Sequence, residues 1–222
     1  MTETGRLLGS GRSADVYEID DAWVLRRDRE GWGDAAAEGA VMTYVRRHGY
    51  PAPLVRPTGS RTDLVMERLS GPTLLDALGD GRVSAEDAGA LLASLLRRLH
   101  AVPGREPADP RSRVLHLDLH PDNVMLTPDG PRVIDWSNTE DGHPGLDWGM
   151  SAVILAQVAV GDTPLAASAH ALLGSLLAGR SAVTEEGLTE ARRRRAANPT
   201  MTRQESELLS PAEELVRQLA FR

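Results

Sequence analysis

Five polar residues lie close together in the segment VLHLDLHPDNVML, which spans residues 114–126. They are His116, Asp118, His120, Asp122 and Asn123. Apolar side chains flank the group on both sides, so it stands in a part of the chain that is suited to burial. Carboxylate and amide oxygens are the ligands that Mg²⁺ prefers, and a carboxylate can also accept a proton from a reacting hydroxyl. The segment therefore indicates a catalytic site.

A predicted hairpin brings another carboxylate, Asp135, to the same region. The sequence NVMLTPDGPRVIDW has two apolar triplets around a Pro-Asp-Gly turn, which is typical of a hairpin. Asn123 stands just before the first strand and Asp135 at the end of the second, so both would lie at the same end of the hairpin. Asp118 is five residues before Asn123, on the loop that leads in. We predict that Asn123 and Asp135 bind Mg²⁺ together with substrate phosphates, and that Asp118 accepts the proton.

The N-terminal part of the chain has the pattern of a small sheet with one helix. Residues 15–19 and 22–26 are β-prone runs, and residues 63–69 form another. Between them, DAAAEGAVMTYVRRHGY begins with an acidic residue and ends with basic residues and a glycine, which predicts a helix carrying Glu38 near its first turn.

The rest of the chain is predicted to be mainly helical. Leucines repeat at helical spacing after Ser84, and further helices are expected at about 147–160, 164–178, 184–197 and 204–220. The order of these elements favours a two-lobed α+β fold. We place a nucleotide-binding lobe at residues 1–67 and a catalytic helical lobe at residues 68–222.

Composition excludes several classes of protein. The 222 residues include no cysteine, which excludes disulfides, thiolate metal sites and cysteine nucleophiles. All 25 basic residues are arginine, so no lysine can form a Schiff base. The net charge of −7 argues against nucleic-acid binding. With no apolar run of about 20 residues and no signal-like segment, we expect a cytoplasmic protein that does not bind a membrane; the oligomeric state is not indicated.

The sequence HLDLHPDN followed by VIDW resembles the catalytic loop and metal-binding aspartate of the aminoglycoside phosphotransferase and choline kinase group of protein-kinase-like enzymes. The resemblance spans about residues 5–160. It implies that Asp118 is the catalytic base and that Asn123 and Asp135 are the metal ligands. It also implies a protein-kinase-like fold, ATP or GTP as co-substrate with Mg²⁺, and a small molecule as acceptor. Asp147 stands where the family has an aspartate that braces the catalytic loop, although a helix N-cap role is equally compatible.

The same resemblance assigns the nucleotide site. LLGSGRSADVY resembles the phosphate-covering loop, with Ala14 where a third glycine is often found, and VMERL resembles the hinge, whose main chain would bind adenine. Arg26 takes the place of the family's phosphate-binding lysine, and Glu38 takes the place of the helix glutamate that holds it. If Arg26 projects toward Glu38, alternation along the strand turns Arg27 to the opposite face, toward solvent. The implied nucleotide-binding residues are Gly9, Ser10, Gly11, Arg12, Ser13, Arg26, Glu38, Glu67 and Leu69.

Two other functions are compatible with parts of this pattern. Arg26 and Ala14 depart from the family, which would suit a pseudokinase that binds nucleotide without turnover. His116, Asp118 and His120 occupy alternate positions and could bind zinc or iron in a metallohydrolase. Within the kinase interpretation, the short stretch between Asp135 and the next helix favours a small acceptor over a protein. That acceptor could be an aminoglycoside, an amino sugar, an amino alcohol or a related metabolite.

Overall fold

A computed structural model describes residues 5–11, 14–29, 31, 33–105 and 109–221. The strands are β1 (Leu7–Ser10), β2 (Ala14–Glu18), β3 (Trp23–Asp28), β4 (Val55–Arg56), β5 (Asp63–Glu67), β6 (Arg113–Leu115), β7 (Val124–Thr127), β8 (Gly130–Val133) and β9 (Glu140–Gly142). The helices are α1 (Ala35–Arg47), α2 (Leu74–Gly79), α3 (Ala85–Leu99), α4 (Pro144–Ala159), α5 (Ala166–Leu177), α6 (Glu185–Ala196), α7 (Arg203–Glu207) and α8 (Leu209–Ala220). The predicted α+β class is confirmed.

The chain divides into two compact units. The first lies within Met1–Pro72 and Met125–Thr139, and the second within Thr73–Val124 and Glu140–Arg222. The segment 125–139 therefore belongs with the N-terminal residues, although the sequence placed it in the lobe 68–222. The division of function between the predicted lobes 1–67 and 68–222 stays a prediction.

The first unit is built on a five-stranded antiparallel sheet with the order β1-β2-β3-β5-β4. Strand β3 is central, and its neighbouring residues Val24 and Leu25 are both buried, so both faces of this strand are covered. Successive side chains of a strand point to opposite faces. Arg26 consequently lies on the face of Val24, and Arg27 lies on the face of Leu25.

Helix α1 covers one face of this sheet. Asp34 caps its N-terminus by accepting a hydrogen bond from the main-chain N–H of Ala37 at 3.0 Å, and Arg46 and Arg47 lie in its last turn. Acidic caps and basic last turns both favour a helix. The face that carries Glu38 is buried, which brings this carboxylate to the sheet.

Main-chain hydrogen bonds attach the hairpin of β7 and β8 to the first unit. Leu126 N–H donates to the Pro72 oxygen at 2.9 Å, and Val133 N–H donates to the Pro51 oxygen at 2.8 Å. Gly71 has φ +128°, and a Cβ atom there would lie 2.1 Å from the Leu126 oxygen, so only glycine permits this approach. These contacts join positions far apart in the sequence, which explains why local patterns did not predict them.

The second unit has a helical core, in which α4 packs against α5, α6 and α8, and α3 packs against α5. Helices α4 and α6 approach closely because both carry glycine: a Cβ atom on Gly187 would lie 2.3 Å from the Gly145 oxygen. Strands β6 and β9 pair beside this core. The helix predicted at 204–220 is two helices that meet at Leu208. In the described part of the chain, no helix is both long and apolar enough to span a membrane.

Candidate active site

The segment after β6 forms a loop that ends in a 3₁₀ turn at Pro121–Asn123, immediately before β7. Leu117 in this loop has φ +64°, a left-handed conformation that is unfavourable for a leucine. His116 and Leu117 are both buried, so the strained part of the loop is enclosed by packing. Such conformations persist only where the surrounding structure imposes them, and they are common at active sites.

Asp147 imposes this conformation from the first turn of α4. Its Oδ1 accepts a hydrogen bond from the main-chain N–H of Leu117 at 2.7 Å, and its Oδ2 accepts one from the N–H of His116 at 3.0 Å. Asp147 is fully buried. Since the N-cap of α4 is His143, the alternative N-cap role for Asp147 is wrong. Asp147 instead braces the loop.

His100, which follows α3, completes the brace. Its Nε2 lies 2.9 Å from Asp147 Oδ2, and both side chains are buried. Burial alone would raise the pKa of Asp147, but the hydrogen bonds from His100 and from the His116 N–H outweigh it and hold the pKa below the ordinary value. His100 was not predicted from the sequence. It ends a leucine-rich helix 47 residues before its partner, and no local pattern links the two.

Asp118 and Asn123 face each other across the loop. Asn123 Nδ2 donates to the main-chain oxygen of Asp118 at 2.9 Å and lies 3.5 Å from its carboxylate. His120 Nε2 lies 3.7 Å from the same carboxylate, and the Asp118 N–H donates to His116 Nδ1 at 3.3 Å. The Asp118 side chain is 22% exposed. The main chain around Asp118 is therefore fixed, while its carboxylate remains accessible.

In the first unit, Arg26 joins two carboxylates. Its Nη1 lies 2.7 Å from Glu38 Oε2 and its Nη2 lies 3.7 Å from Asp135 Oδ1. The structure thus has the Arg26–Glu38 contact that the family resemblance implies. One short bond, from Nη1, links Arg26 to Glu38. The other terminal nitrogen, Nη2, is the one that faces Asp135.

Glu38 is buried, and this burial raises its pKa above the ordinary value. The positive charge of Arg26 lowers the pKa, the nearby charge of Asp135 raises it, and the main-chain N–H of Trp136 lowers it by donating to Glu38 Oε1 at 3.3 Å. The net effect is upward. Glu38 is therefore protonated more easily than Asp147, whose pKa is lowered.

Arg27 lies on the other face and has a structural partner. Its Nε and Nη2 each donate to a carboxylate oxygen of Asp63 at 2.8 Å, and its side chain is 34% exposed. This bidentate bond lowers the pKa of Asp63. We predicted from the sequence that Arg27 points to solvent. In the structure, its guanidinium is instead hydrogen-bonded to Asp63 of β5.

Asp135, like Leu117, adopts a left-handed conformation, with φ +60°. Its carboxylate accepts a hydrogen bond from Ser137 Oγ at 2.7 Å and is 37% exposed. An exposed, oriented carboxylate beside an arginine suits the binding of a cation or a phosphate-bound metal.

The predicted phosphate-covering loop, which we call the glycine loop, lies at the turn between β1 and β2. Ser10 is paired with Asp15, and Gly11 N–H donates to the Ala14 oxygen at 2.8 Å. Gly9, Ser10 and Gly11 are all exposed. Two predicted loop residues, Arg12 and Ser13, lie outside the described residues.

The predicted hinge follows β5. The Glu67 N–H donates to the Leu54 oxygen at 2.8 Å, and the Glu67 carboxylate accepts from the Leu54 N–H at 3.0 Å. A contact of Glu67 with adenine would therefore use its carbonyl oxygen. Leu69 is half-buried just beyond the strand. Adenine binding at both positions stays a prediction.

The structure thus contains the predicted residues in two groups, Asp118 with Asn123 in one unit and Arg26, Glu38 and Asp135 in the other. A sheet strand that pairs a cation with a helix glutamate, and a loop that carries an aspartate and an asparagine five residues apart, define the class of protein-kinase-like phosphotransferases.

Comparison with known families agrees with this class. A model of the Phosphotransferase enzyme family (APH) matches residues 4–113 and 105–186, which together cover most of the chain. The chain belongs to this family and is a phosphotransferase. Among curated protein sequences, no match is found.

Solved structures of aminoglycoside phosphotransferases share the fold. The ADP-bound structure of APH(2'')-Ib has a TM-score of 0.57 and 14% identity, and the match covers 95% of this chain and 93% of that chain. The gentamicin complex of APH(2'')-IIa has a TM-score of 0.57 and 12% identity, with 95% and 92% covered. Its ternary complex with streptomycin and ATP has a TM-score of 0.57, 13% identity and the same coverage. At these identities, the likeness shows the fold alone.

Proposed function

We propose that the protein transfers the γ-phosphoryl group of ATP or GTP to a hydroxyl group of a small molecule. The observation that carries this proposal is the position of Arg26, whose guanidinium contacts Glu38 at 2.7 Å and lies 3.7 Å from Asp135. In protein kinases, a lysine held by a helix glutamate binds the nucleotide phosphates. Arg26 occupies that arrangement and has guanidinium donors left for phosphate oxygens, because Glu38 uses only one of its nitrogens.

We assign Asp118 the role of general base. Its main-chain hydrogen bonds with Asn123 and His116 fix the loop, and its carboxylate is partly exposed, so an acceptor hydroxyl can approach it. Asp118 would orient this hydroxyl and take its proton as the oxygen attacks phosphorus. Most of the catalytic effect would come from positioning and from neutralisation of charge.

We propose Mg²⁺ as the metal, held by Asn123 and Asp135. The donor atoms fit this ion: Asp135 offers an exposed carboxylate, and Asn123 directs its NH₂ group to Asp118, which leaves its carbonyl oxygen for a cation. When bound, Mg²⁺ would neutralise charge on the transferred phosphates. Nucleotide binding would also involve Gly9, Ser10, Gly11, Arg12, Ser13, Glu38, Glu67 and Leu69.

A small acceptor is supported by the chain between Asp135 and α4. Eight residues separate Asp135 from the first residue of this helix, Pro144, and three of the eight form β9. This stretch is too short for the long activation segment that protein kinases use to bind a protein substrate. Two of the structures compared above are complexes of APH(2'')-IIa, one with gentamicin and one with streptomycin and ATP. We propose an acceptor of the aminoglycoside, amino sugar or amino alcohol class, or a related metabolite.

The metallohydrolase alternative has little support. His116 is fully buried, and its Nδ1 accepts a hydrogen bond from the Asp118 N–H. Within the described residues, no group of three or more His, Cys, Asp or Glu side chains is arranged to hold a metal ion. The pseudokinase alternative differs from our proposal in turnover only, and an assay can separate the two.

The test is a screen of hydroxyl compounds of these classes with Mg²⁺ and ATP or GTP, followed by mass spectrometry of the phosphorylated product. The Asp118→Asn variant is the matched control, because it keeps the size of the side chain and removes the base. We expect a product with the wild-type protein and none with the variant. Nucleotide binding without any product across the screen would favour the pseudokinase, and zinc-dependent hydrolysis would favour the metallohydrolase.

A further inference from the structure

A second arginine of the first unit, Arg29, contacts the glycine loop directly. It follows β3 and donates to the Ser10 hydroxyl at 3.0 Å through Nη2, which also donates to the main-chain oxygen of Gly11. Its Nε lies 3.2 Å from Asp15 Oδ1. Arg29 was not among the site residues predicted from the sequence.

These contacts reach both strands that flank the loop. Ser10 ends β1 and Asp15 lies in β2, and the Ser10 hydroxyl also donates to Asp15 Oδ1 at 2.6 Å. Arg29, Ser10 and Asp15 thus form one hydrogen-bonded cluster, which we call the loop clasp. The clasp fastens both ends of the glycine loop to the end of β3.

The clasp matters because packing does little to hold the described residues of this loop, 9–11. Gly9, Ser10 and Gly11 are all exposed, and a Cβ atom on Gly9 would meet nothing within 4 Å. A loop that covers phosphates must keep its main-chain N–H groups directed at them, and an unsupported loop would lose entropy on binding. A guanidinium can bond several acceptors in a fixed geometry, which a lysine ammonium cannot do.

We propose that Arg29 is a positioning residue for the nucleotide: through the loop clasp it holds the glycine loop in the conformation that binds phosphates. This inference rests on the proposed function, since it assumes that the loop covers a nucleotide. Arg29 acts through Ser10, Gly11 and Asp15, and it need not touch the substrate.

The inference predicts a specific kinetic effect. Arg29→Ala should raise the KM for ATP about tenfold, because the freed loop must be ordered on binding, and should change kcat by less than about twofold. The KM for the acceptor should not change. Arg29→Lys should restore only part of the loss, because it keeps the charge and loses the fork of donors.

The matched control is Arg61→Ala, which removes an exposed arginine of the same unit. An exposed ion pair contributes little to stability on average. If the loop clasp had no role in nucleotide binding, Arg29→Ala and Arg61→Ala would therefore have the same nucleotide affinity. Asp15→Asn should resemble Arg29→Ala, and the double variant should be no worse than Arg29→Ala alone, since both changes break one cluster.

The experiment measures calorimetric binding of Mg²⁺ with a non-hydrolysable ATP analogue, together with steady-state kinetics, for all these proteins. Equal affinity of Arg29→Ala and Arg61→Ala would overturn the inference and leave the proposed function intact. A parallel fall in kcat and in affinity for both substrates would also overturn it, because that pattern indicates general damage. Wild-type protein that binds no nucleotide would overturn the proposed function, and this inference with it.

Discussion

Two buried carboxylates, one in each unit, support the proposed chemistry in different ways. Asp147 accepts hydrogen bonds from two main-chain N–H groups and from His100, and these bonds hold its pKa below the ordinary value despite complete burial. Glu38 has one close guanidinium and a weaker main-chain donor, and its burial raises its pKa. Asp147 is thus a brace that is charged at neutral pH, whereas Glu38 is an ion-pair partner whose charge is more easily lost.

This difference indicates a division of roles. The loop that carries Asp118 includes a strained residue, Leu117, so it needs a support whose charge is constant. In the proposed function, Arg26 binds the nucleotide phosphates, and Glu38, which holds it through one short bond, leaves other guanidinium donors for them. Each of the following variants tests whether the two supports differ in this way.

The largest effect is expected from Asp147→Asn. The amide would place an NH₂ group against donors that now point at a carboxylate, leaving buried N–H groups without acceptors. We expect a loss of about 3–5 kcal/mol in the free energy of unfolding, together with loss of turnover. Urea unfolding measures this loss. The control is Asp122→Asn, an exposed change in the same loop, whose free energy of unfolding should stay within about 0.5 kcal/mol of wild type. Equal stability of the two variants would contradict the brace.

The next effect separates the neighbouring arginines of β3. Arg26→Ala should weaken Mg²⁺-nucleotide binding about a hundredfold, because it removes the charged contact to the phosphates. Arg27→Ala should leave binding nearly unchanged and reduce stability by about 1–2 kcal/mol, because Asp63 loses a bidentate partner. Calorimetry with a non-hydrolysable nucleotide measures the first, and urea unfolding measures the second. The reverse ranking of the two affinities would show that Arg27 binds the phosphates.

These arginines also show what the sequence could predict. The family resemblance paired Arg26 with Glu38, and alternation along a strand, which is a local rule, correctly placed Arg27 on the other face. The motif HLDLHPDN likewise predicted the loop in which Asp118 and Asn123 meet. The α+β class followed from the order of the elements and is confirmed.

Long-range contacts could not be predicted from such local rules. The attachment of the hairpin to the first unit depends on main-chain bonds to Pro51 and Pro72, which any residue type could make. The His100–Asp147 pair and the loop clasp of Arg29 join side chains whose types are ordinary and whose separation follows no period. Only the folded chain shows these partners.

The smallest effect is on the pH dependence of stability. The lowered pKa of Asp147 contributes stability above its ordinary value of 3.8, and this contribution is lost as pH falls through the folded-state pKa. The raised pKa of Glu38 has the opposite sign: its contribution is full below the ordinary value of 4.5 and is lost as pH rises through the folded-state pKa.

Glu38→Gln should therefore flatten the fall in stability that wild type shows as pH rises above about 4.5, and it should be no less stable than wild type at neutral pH. Unfolding free energies between pH 4 and pH 7 measure this. Nucleotide affinity should fall in the same variant, because Arg26 loses the charge of its partner. A variant that is much less stable than wild type at pH 7 would show that the ionised pair is a net support.

The most direct test of the central claim is the effect of Asp118→Asn on two quantities measured in the same preparation, the affinity for Mg²⁺-nucleotide and the rate of phosphoryl transfer to an acceptor found in the screen. We predict an affinity within about twofold of wild type and a transfer rate reduced by at least about 10²-fold, because Asp118 acts on the acceptor proton and leaves nucleotide binding to the other unit. A variant that transfers phosphate at the wild-type rate would contradict the account.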